Sequence, residues 1–227
     1  MKISKRLKEA KAKIEADKVY DLPEAIALVK ETSKVKFDAS VEVHAKLGID
    51  PKKSDQIIRD SVILPHGTGK TVRVAAFVPT EQIKEAQAAG ADVVGDNELV
   101  EEIKKTGKCD FDVAITTPAF MKTLAVVARV LGQKGLMPNP KTGTIGEDVS
   151  KMISELKKGK VSYKNDDTSN VHLTIGKVSF ESSALEENFK LFLETLKKNK
   201  PSSVKGTYIK SLTISSSMGP GVRVNVK

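Results

Sequence analysis

The middle of the chain constrains the fold most strongly, because short apolar strands alternate there with helices. Strands are predicted at 71–78, 92–94 and 111–116, and none of them alternates polar with apolar residues. Helices are predicted at 81–89, 97–106, 118–131 and 148–157. Thr117, followed by Pro118, is expected to cap the third of these helices. Strands that are apolar on both faces and separated by helices predict a small, doubly wound parallel sheet.

The two outer segments contain too few elements for two separate cores. Predicted helices cover 4–16, 22–32 and 185–198, and predicted strands cover 40–49, 57–64, 171–178, 207–215 and 222–226. Asp21 and Glu24 form the pattern of a capping box before the second helix. Paired, the outer segments make one α+β domain of ordinary size. The expected fold is therefore mixed α/β, a discontinuous α+β domain from both termini (1–67 and 160–227) with an α/β domain (68–159) inserted between its halves.

Two glycine-containing breaks separate these segments. The first is Pro65–Gly69 and the second surrounds Gly159. Glycine adopts backbone conformations that other residues avoid, and large changes of φ and ψ are absorbed at a few such positions. We therefore expect a two-stranded hinge at Pro65, Gly67, Gly69 and Gly159.

The distribution of charge points to the two ends of the chain. The protein has 38 lysines and arginines against 29 acidic residues, a net charge of +9. Residues 1–67 hold a net charge of +3 and residues 160–227 hold +5, whereas residues 68–159 hold only +1. A basic balance favours a polyanionic partner, with nucleic acid ahead of an anionic membrane surface. A basic footprint would therefore belong to the two ends together.

Cysteine and histidine usage argues against several classes of protein. Cys109 is the single cysteine, so no internal disulfide can form, and the paired spacings of a zinc site are missing. No histidine and carboxylate constellation has the spacing of a catalytic triad. The first 17 residues lack the apolar run of a signal peptide or membrane span. We therefore expect a soluble cytoplasmic protein that is not an enzyme and has no metal or cofactor.

The segment Gly67-Thr68-Gly69-Lys70-Thr71 contains the end of a phosphate-binding P-loop and supports one alternative, a nucleotide-dependent enzyme. The full pattern requires a glycine where the chain has Leu64. A P-loop also opens a helix whose first amide groups bind phosphate, whereas residues 72–78 are strand-like. Both observations favour a hinge turn over nucleotide binding.

Other segments admit two interpretations each. Lys134 and Lys141 stand in a loop, 132–146, that either contacts phosphate or is an ordinary surface loop. Ser215–Gly221 is either a backbone that approaches RNA closely or a hairpin turn, and Phe37 either stacks on an unpaired base or fills the core. A polar row on one strand faces solvent or RNA, opposite apolar neighbours. Its members are Asn170, His172 and Thr174.

Five strings in a fixed order carry a family resemblance. They are Lys36-Phe37-Asp38 with Ser40-Val41-Glu42-Val43, Leu64 to Lys70, Gly135 to Lys141, Asn170-Val171-His172 with Ile175-Gly176-Lys177, and Met218 to Gly221. With them the chain resembles the bacterial-type ribosomal protein L-one family over essentially all its residues. The resemblance implies a Rossmann-like three-layer architecture for the inserted domain. The chain departs from the family at Ser217, usually threonine, at Asp60, often glycine, and at Gln133-Lys134, more commonly proline and arginine.

The resemblance also implies a function and a binding site. It implies a structural constituent of the large ribosomal subunit in the cytoplasm, monomeric when free and not attached to a membrane. The implied partners are large-subunit (23S-type) rRNA at the mobile stalk, deacylated exit-site tRNA, whose release the protein assists, and its own operon mRNA, whose translation it represses. The residues that match the family's primary rRNA site are Lys36, Phe37, Ser40, Glu42, Asn170, His172, Thr174, Ser211, Ser217, Met218 and Gly219. A basic RNA chaperone without a defined site is the second alternative.

Overall fold

The computed structural model describes residues 4–15 and 18–225. The chain forms two compact units, a terminal unit made of Met1–Gly69 and Val161–Lys227, and a middle unit, Lys70–Lys160. Ala16 and Val226, the predicted ends of a helix and a strand, lie outside the described residues. The mixed α/β class expected from the sequence is confirmed, because the terminal unit contains an antiparallel sheet and the middle unit a parallel one.

The elements follow the chain in a regular order. The strands are β1 (Ser40–Leu47), β2 (Arg59–Ile63), β3 (Val74–Phe77), β4 (Val93–Gly95), β5 (Val113–Thr116), β6 (Lys160–Lys164), β7 (Asn170–Lys177), β8 (Ile209–Ser216) and β9 (Val222–Val224). The helices are α1 (Lys5–Ala12), α2 (Leu22–Thr32), α3 (Ile83–Ala88), α4 (Asn97–Thr106), α5 (Met121–Leu124), α6 (Ala128–Gln133), α7 (Val149–Lys157) and α8 (Ser182–Lys198).

The main sheet of the terminal unit is buried on one face. Its strand order is β7-β1-β8-β9. Along β1 the buried residues are Val41, Val43, Ala45 and Leu47, and those between them remain partly exposed. Helices α2 and α8 pack against the buried face. Because side chains alternate along a strand, the opposite face carries the polar residues of all the paired strands.

A buried asparagine connects α8 to the segment Pro65–Gly69. The side chain of Asn188 is fully buried. Its Nδ2 donates to the carbonyl oxygens of Ile175 at 2.7 Å and Gly67 at 3.0 Å, and its Oδ1 accepts from the backbone N–H of His66 at 3.3 Å. A buried amide whose donors and acceptor are paired holds its neighbours in one arrangement. Asn188 therefore stabilises this loop against the terminal unit.

The middle unit is a parallel sheet between two helical layers. Its strand order is β4-β3-β5. Every residue of β3 is buried. Ala75 and Phe77 belong to one apolar cluster, with residues of α4 and α5, whereas Val74 and Ala76 belong to another, with residues of α7. Two cores on opposite faces of one sheet define the three-layer arrangement.

Three local predictions were wrong. The helix predicted at 118–131 is broken into α5, a 3₁₀ turn at Ala125–Val127 and α6, because consecutive β-branched residues in the turn disfavour a helix. Thr117 does not cap it, since α5 begins after Phe120. Asp21 precedes α2 but makes no capping hydrogen bond with its side chain. The sequence analysis also missed β6, whose short, mixed sequence pairs with β2.

Candidate nucleic-acid interface

The open face of the four-stranded sheet is covered by polar side chains, and we call it the polar face. Pairing of the strands aligns His44 with His172 on one side and with Thr213 on the other. The polar face includes Glu42, His44, Lys46, Asn170, His172, Thr174, Ser211, Thr213, Ser215 and Arg223. Hydroxyl, amide and imidazole groups both donate and accept hydrogen bonds. The surface therefore suits a ligand that carries many hydrogen-bond donors and acceptors.

Two histidines from different strands form the centre of the polar face. His44 Nδ1 lies 2.7 Å from His172 Nδ1, and His44 Nε2 lies 3.0 Å from the hydroxyl of Ser215. His172 Nε2 lies 3.5 Å from a carboxylate oxygen of Asp166. In a hydrogen bond between the two Nδ1 atoms, one nitrogen must donate and the other must accept. At most one of the two rings can therefore be in its imidazolium form while this contact persists. Burial, reinforced by His172, lowers the pKa of His44.

Asp166 anchors the turn at one end of the polar face. Its carboxylate accepts from the backbone N–H groups of Asn170 at 2.7 Å and Thr168 at 2.9 Å, and from the Thr168 hydroxyl at 2.7 Å. These bonds, above all the one from the Asn170 backbone, hold the pKa of Asp166 well below its usual range. Lys46 also donates to the carbonyl oxygen of Thr168. The carboxylate therefore stays ionised and orders the start of β7.

Two loops at the other end carry exposed apolar side chains. Met218 is 73% exposed, the highest value among the large hydrophobic residues of the described chain, and Phe37 is 56% exposed. The loops are joined, because the Ser217 N–H donates to the Ser40 carbonyl at 2.9 Å and the Ser40 N–H donates to the Ser217 hydroxyl at 3.2 Å. We call 34–40 the phenylalanine loop and 216–221 the methionine loop.

The methionine loop has an unusual backbone. Met218 adopts a left-handed conformation with φ of 62°, which costs a non-glycine residue about 1–2 kcal/mol. A hydrogen bond from the Gly219 N–H to the Ser216 carbonyl, 2.8 Å long, closes the turn. A Cβ atom on Gly219 would lie only 2.2 Å from the Ser216 hydroxyl oxygen. A side chain at this position would therefore displace the Ser216 hydroxyl from its place under the loop.

The structure brings together the predicted residues of the terminal unit but not all predicted positions. Lys36 is exposed on the phenylalanine loop. Lys134 and Lys141 lie in the middle unit, where Lys134 Nζ donates to the Gly107 carbonyl at 2.8 Å. Sequence reasoning missed His44, Lys46 and Thr213, whereas Ser215 belonged to the segment Ser215–Gly221 with its two interpretations. Their shared parity with Glu42 on β1 and with Ser211 on β8 could have identified them.

The segment Gly67–Thr71 does not have the structure of a nucleotide site. Gly67 and Gly69 have positive φ, as does Gly159 at the second break. Lys70 forms an ion pair with Asp112 at 2.5 Å, and the chain continues into β3, not into a helix. Within residues 4–15 and 18–225, no cluster of metal-binding side chains occurs and no helix is long and apolar enough to cross a membrane.

Comparison with known proteins agrees with this arrangement. Residues 29–220 match the family described as "Ribosomal protein L1p/L10e family", so the chain belongs to that family. It is 52% identical over 223 residues to "Large ribosomal subunit protein uL1" of Mycoplasma capricolum, and the match covers 98% of each chain. It is 55% identical over 224 residues to the protein of that name from Corynebacterium efficiens, covering 99% of this chain and 94% of the relative. The resemblance is confirmed, and these relatives are ribosomal proteins, not enzymes.

Proposed function

We propose that the protein is a constituent of the large ribosomal subunit and that its terminal unit binds large-subunit rRNA. The observation that carries the proposal is the pair of exposed apolar side chains, Phe37 and Met218, beside a continuous polar face. An isolated soluble domain gains nothing by exposing two such residues on adjoining loops. RNA with unstacked bases offers flat apolar surfaces to them and hydroxyl groups to the neighbouring sheet.

Each type of side chain in the interface makes a different type of contact with RNA. Phe37 and Met218 pack on bases or sugars, and the hydroxyl groups of the polar face bond ribose 2′-hydroxyls and phosphates. Glu42 repels phosphate, so it accepts hydrogen bonds from ribose hydroxyls or base amino groups. Lys36 contributes the salt-sensitive part of the affinity. Recognition then rests on shape and hydroxyl contacts, and attraction rests on lysine.

The remaining partners are proposed from the family resemblance. The middle unit contacts deacylated tRNA at the exit site and assists its release, with Lys134 and Lys141 as secondary RNA contacts. The terminal unit also binds a similar fold in the messenger of the protein's own operon and represses its translation. The free protein is monomeric and cytoplasmic, and Pro65, Gly67, Gly69 and Gly159 act as the hinge.

The binding site is tested with single variants of the full chain and an rRNA fragment from the stalk. Phe37→Ala and Met218→Ala should each weaken binding by about 1–3 kcal/mol, the range for loss of one stacked base. Leu191→Ala is the matched control, because Leu191 is an exposed apolar residue on α8, the helix behind the sheet. Equal affinities for all three variants would contradict the proposal and favour a basic RNA chaperone without a defined site.

A further inference from the structure

The phenylalanine and methionine loops approach each other through few main-chain contacts. The described backbone bond between them is the Ser217 N–H to Ser40 carbonyl, which lies at the base of both loops. Phe37 is three residues before Ser40, and Met218 stands beyond Ser217 in a left-handed turn. Each loop also has anchors of its own, since Ser179 donates to the Asp38 carboxylate and the Gly219 N–H donates to the Ser216 carbonyl. Those bonds do not fix the distance between the outer parts of the two loops.

Arg6 of α1 connects these outer parts. Its Nη2 donates to the carbonyl oxygen of Met218 at 3.3 Å, and its Nη1 donates to the carbonyl oxygen of Lys34 at 3.4 Å. These partners are 212 and 28 residues away in the sequence. A guanidinium group has several donors in one rigid plane, so it can bridge two carbonyl groups at a set distance. A lysine ammonium is a single donor atom on a flexible chain and does not set that distance.

The helix that carries Arg6 is itself held against the terminal unit. Ser4 caps α1 by accepting from the Leu7 N–H at 3.3 Å, and Ala10 is buried. Lys13, just beyond the helix, forms an ion pair with Glu31 of α2. Ile14 packs against the core of the unit. Because several contacts hold α1, the guanidinium is presented from a support that neither loop provides.

We propose that Arg6 is a positioning residue for RNA binding. By bonding to both the phenylalanine loop and the methionine loop, it holds the two loops at the distance that RNA requires. The inference rests on the proposed rRNA site and extends it to a residue outside the polar face and both loops. Arg6 acts through the carbonyl groups of Lys34 and Met218 and not through its charge. Replacement of the guanidinium group should therefore weaken RNA binding even when a positive charge is kept at this position.

The test measures binding of the stalk rRNA fragment by Arg6→Ala, Arg6→Lys and Lys8→Ala. Lys8→Ala is the control, because it removes one exposed charge from the same helix. We expect Arg6→Ala and Arg6→Lys each to weaken binding by about tenfold, the middle of the range for coupled neighbours. Lys8→Ala should weaken it by less than about threefold, as for one peripheral charge. An Arg6→Lys variant that binds like the unaltered protein would overturn the inference, since charge alone would then suffice.

A double-variant cycle separates positioning from general damage to the fold. In a Met218→Ala background, Arg6→Ala should weaken binding by less than about threefold, because the side chain that Arg6 positions is already removed. The melting temperature of each variant is measured beside its affinity, as a control that the variant is folded. A full tenfold loss in that background would mean that Arg6 acts independently of Met218 and would overturn the inference. If Met218→Ala and Phe37→Ala themselves bind normally, the proposed rRNA site fails and the inference fails with it.

Discussion

At the scale of single residues, the polar face owes its chemistry to side chains that meet across strands. His44 has one ring nitrogen near His172 and the other near Ser215, and these partners come from β7 and β8. Burial by these neighbours penalises the imidazolium form of His44 and lowers its pKa. The ring therefore serves as a neutral hydrogen-bonding group in a basic protein.

This depressed pKa predicts a dependence of stability on pH. The unfolded chain, with an ordinary histidine pKa near 6.5, binds a proton more readily than the folded protein does. The stability contributed by neutral His44 is thus present above that value and is lost as the pH falls towards the folded pKa. His44→Gln should flatten the pH profile of the unfolding free energy, measured by denaturant titration over roughly pH 5–8. Parallel profiles for the two proteins would contradict the assignment.

At the scale of elements, helix starts with similar sequences differ in how they are capped. Asp96 precedes α4, and its carboxylate accepts from the Glu98 N–H at 3.1 Å. Asp21 precedes α2 in a sequence that resembles a capping box, but its side chain makes no capping bond. Glu24 lies 3.8 Å from Lys18 instead. An aspartate side chain therefore accepts a hydrogen bond from a backbone N–H in the first turn of α4, whereas the aspartate before α2 accepts none.

Replacement of the two aspartates should separate these cases. Asp96→Ala should lower the unfolding free energy of the middle unit by about 1 kcal/mol, the usual cost of losing an N-cap side chain. Asp21→Ala is the matched control and should cost less than about half as much in the terminal unit. Denaturant unfolding of each variant measures the change. Equal costs at both positions would show that the Asp96 bond does not stabilise α4.

At the scale of the whole molecule, excess positive charge is concentrated in the two segments that build the terminal unit. Met1–Gly69 and Val161–Lys227 carry net charges of +3 and +4, against +2 for Lys70–Lys160. Attraction between such a surface and RNA releases counterions, so each phosphate contact makes the affinity fall with added salt. The salt dependence of binding therefore reports which unit faces the proposed rRNA.

Single lysine variants test this distribution. Lys36→Ala on the phenylalanine loop should reduce the slope of log affinity against log salt by about 0.7–0.9, the loss of one phosphate contact. Lys104→Ala removes an exposed charge from α4 in the middle unit and should leave the slope unchanged. Binding titrations of the stalk rRNA fragment at several salt concentrations measure both. If Lys104→Ala changed the slope more than Lys36→Ala, the rRNA contact would lie on the middle unit and the prediction would be wrong.

The sequence by itself determined the elements and the class of fold, because those depend on local periodicity. Apolar runs separated by helices predicted the parallel sheet around β3, and alternation from Val41 to Leu47 predicted the half-buried strand β1. Parity along strands also predicted the row Asn170, His172 and Thr174. The helix predicted at 118–131 is interrupted at Ala125–Val127, where the consecutive β-branched residues Val126 and Val127 disfavour a helix although the apolar spacing is helical.

Only the tertiary structure decided which residues share a site. His44 meets His172 across 128 residues of sequence, and Arg6 meets Met218 across 212. Such contacts depend on the pairing of strands and the packing of α1, which no local pattern encodes. The exposure of Phe37 was likewise open in the sequence, since an aromatic side chain suits the core as well as a stacking surface. The periodic parts of the protein follow from neighbours in the chain, whereas the arrangement of the site follows from neighbours in space.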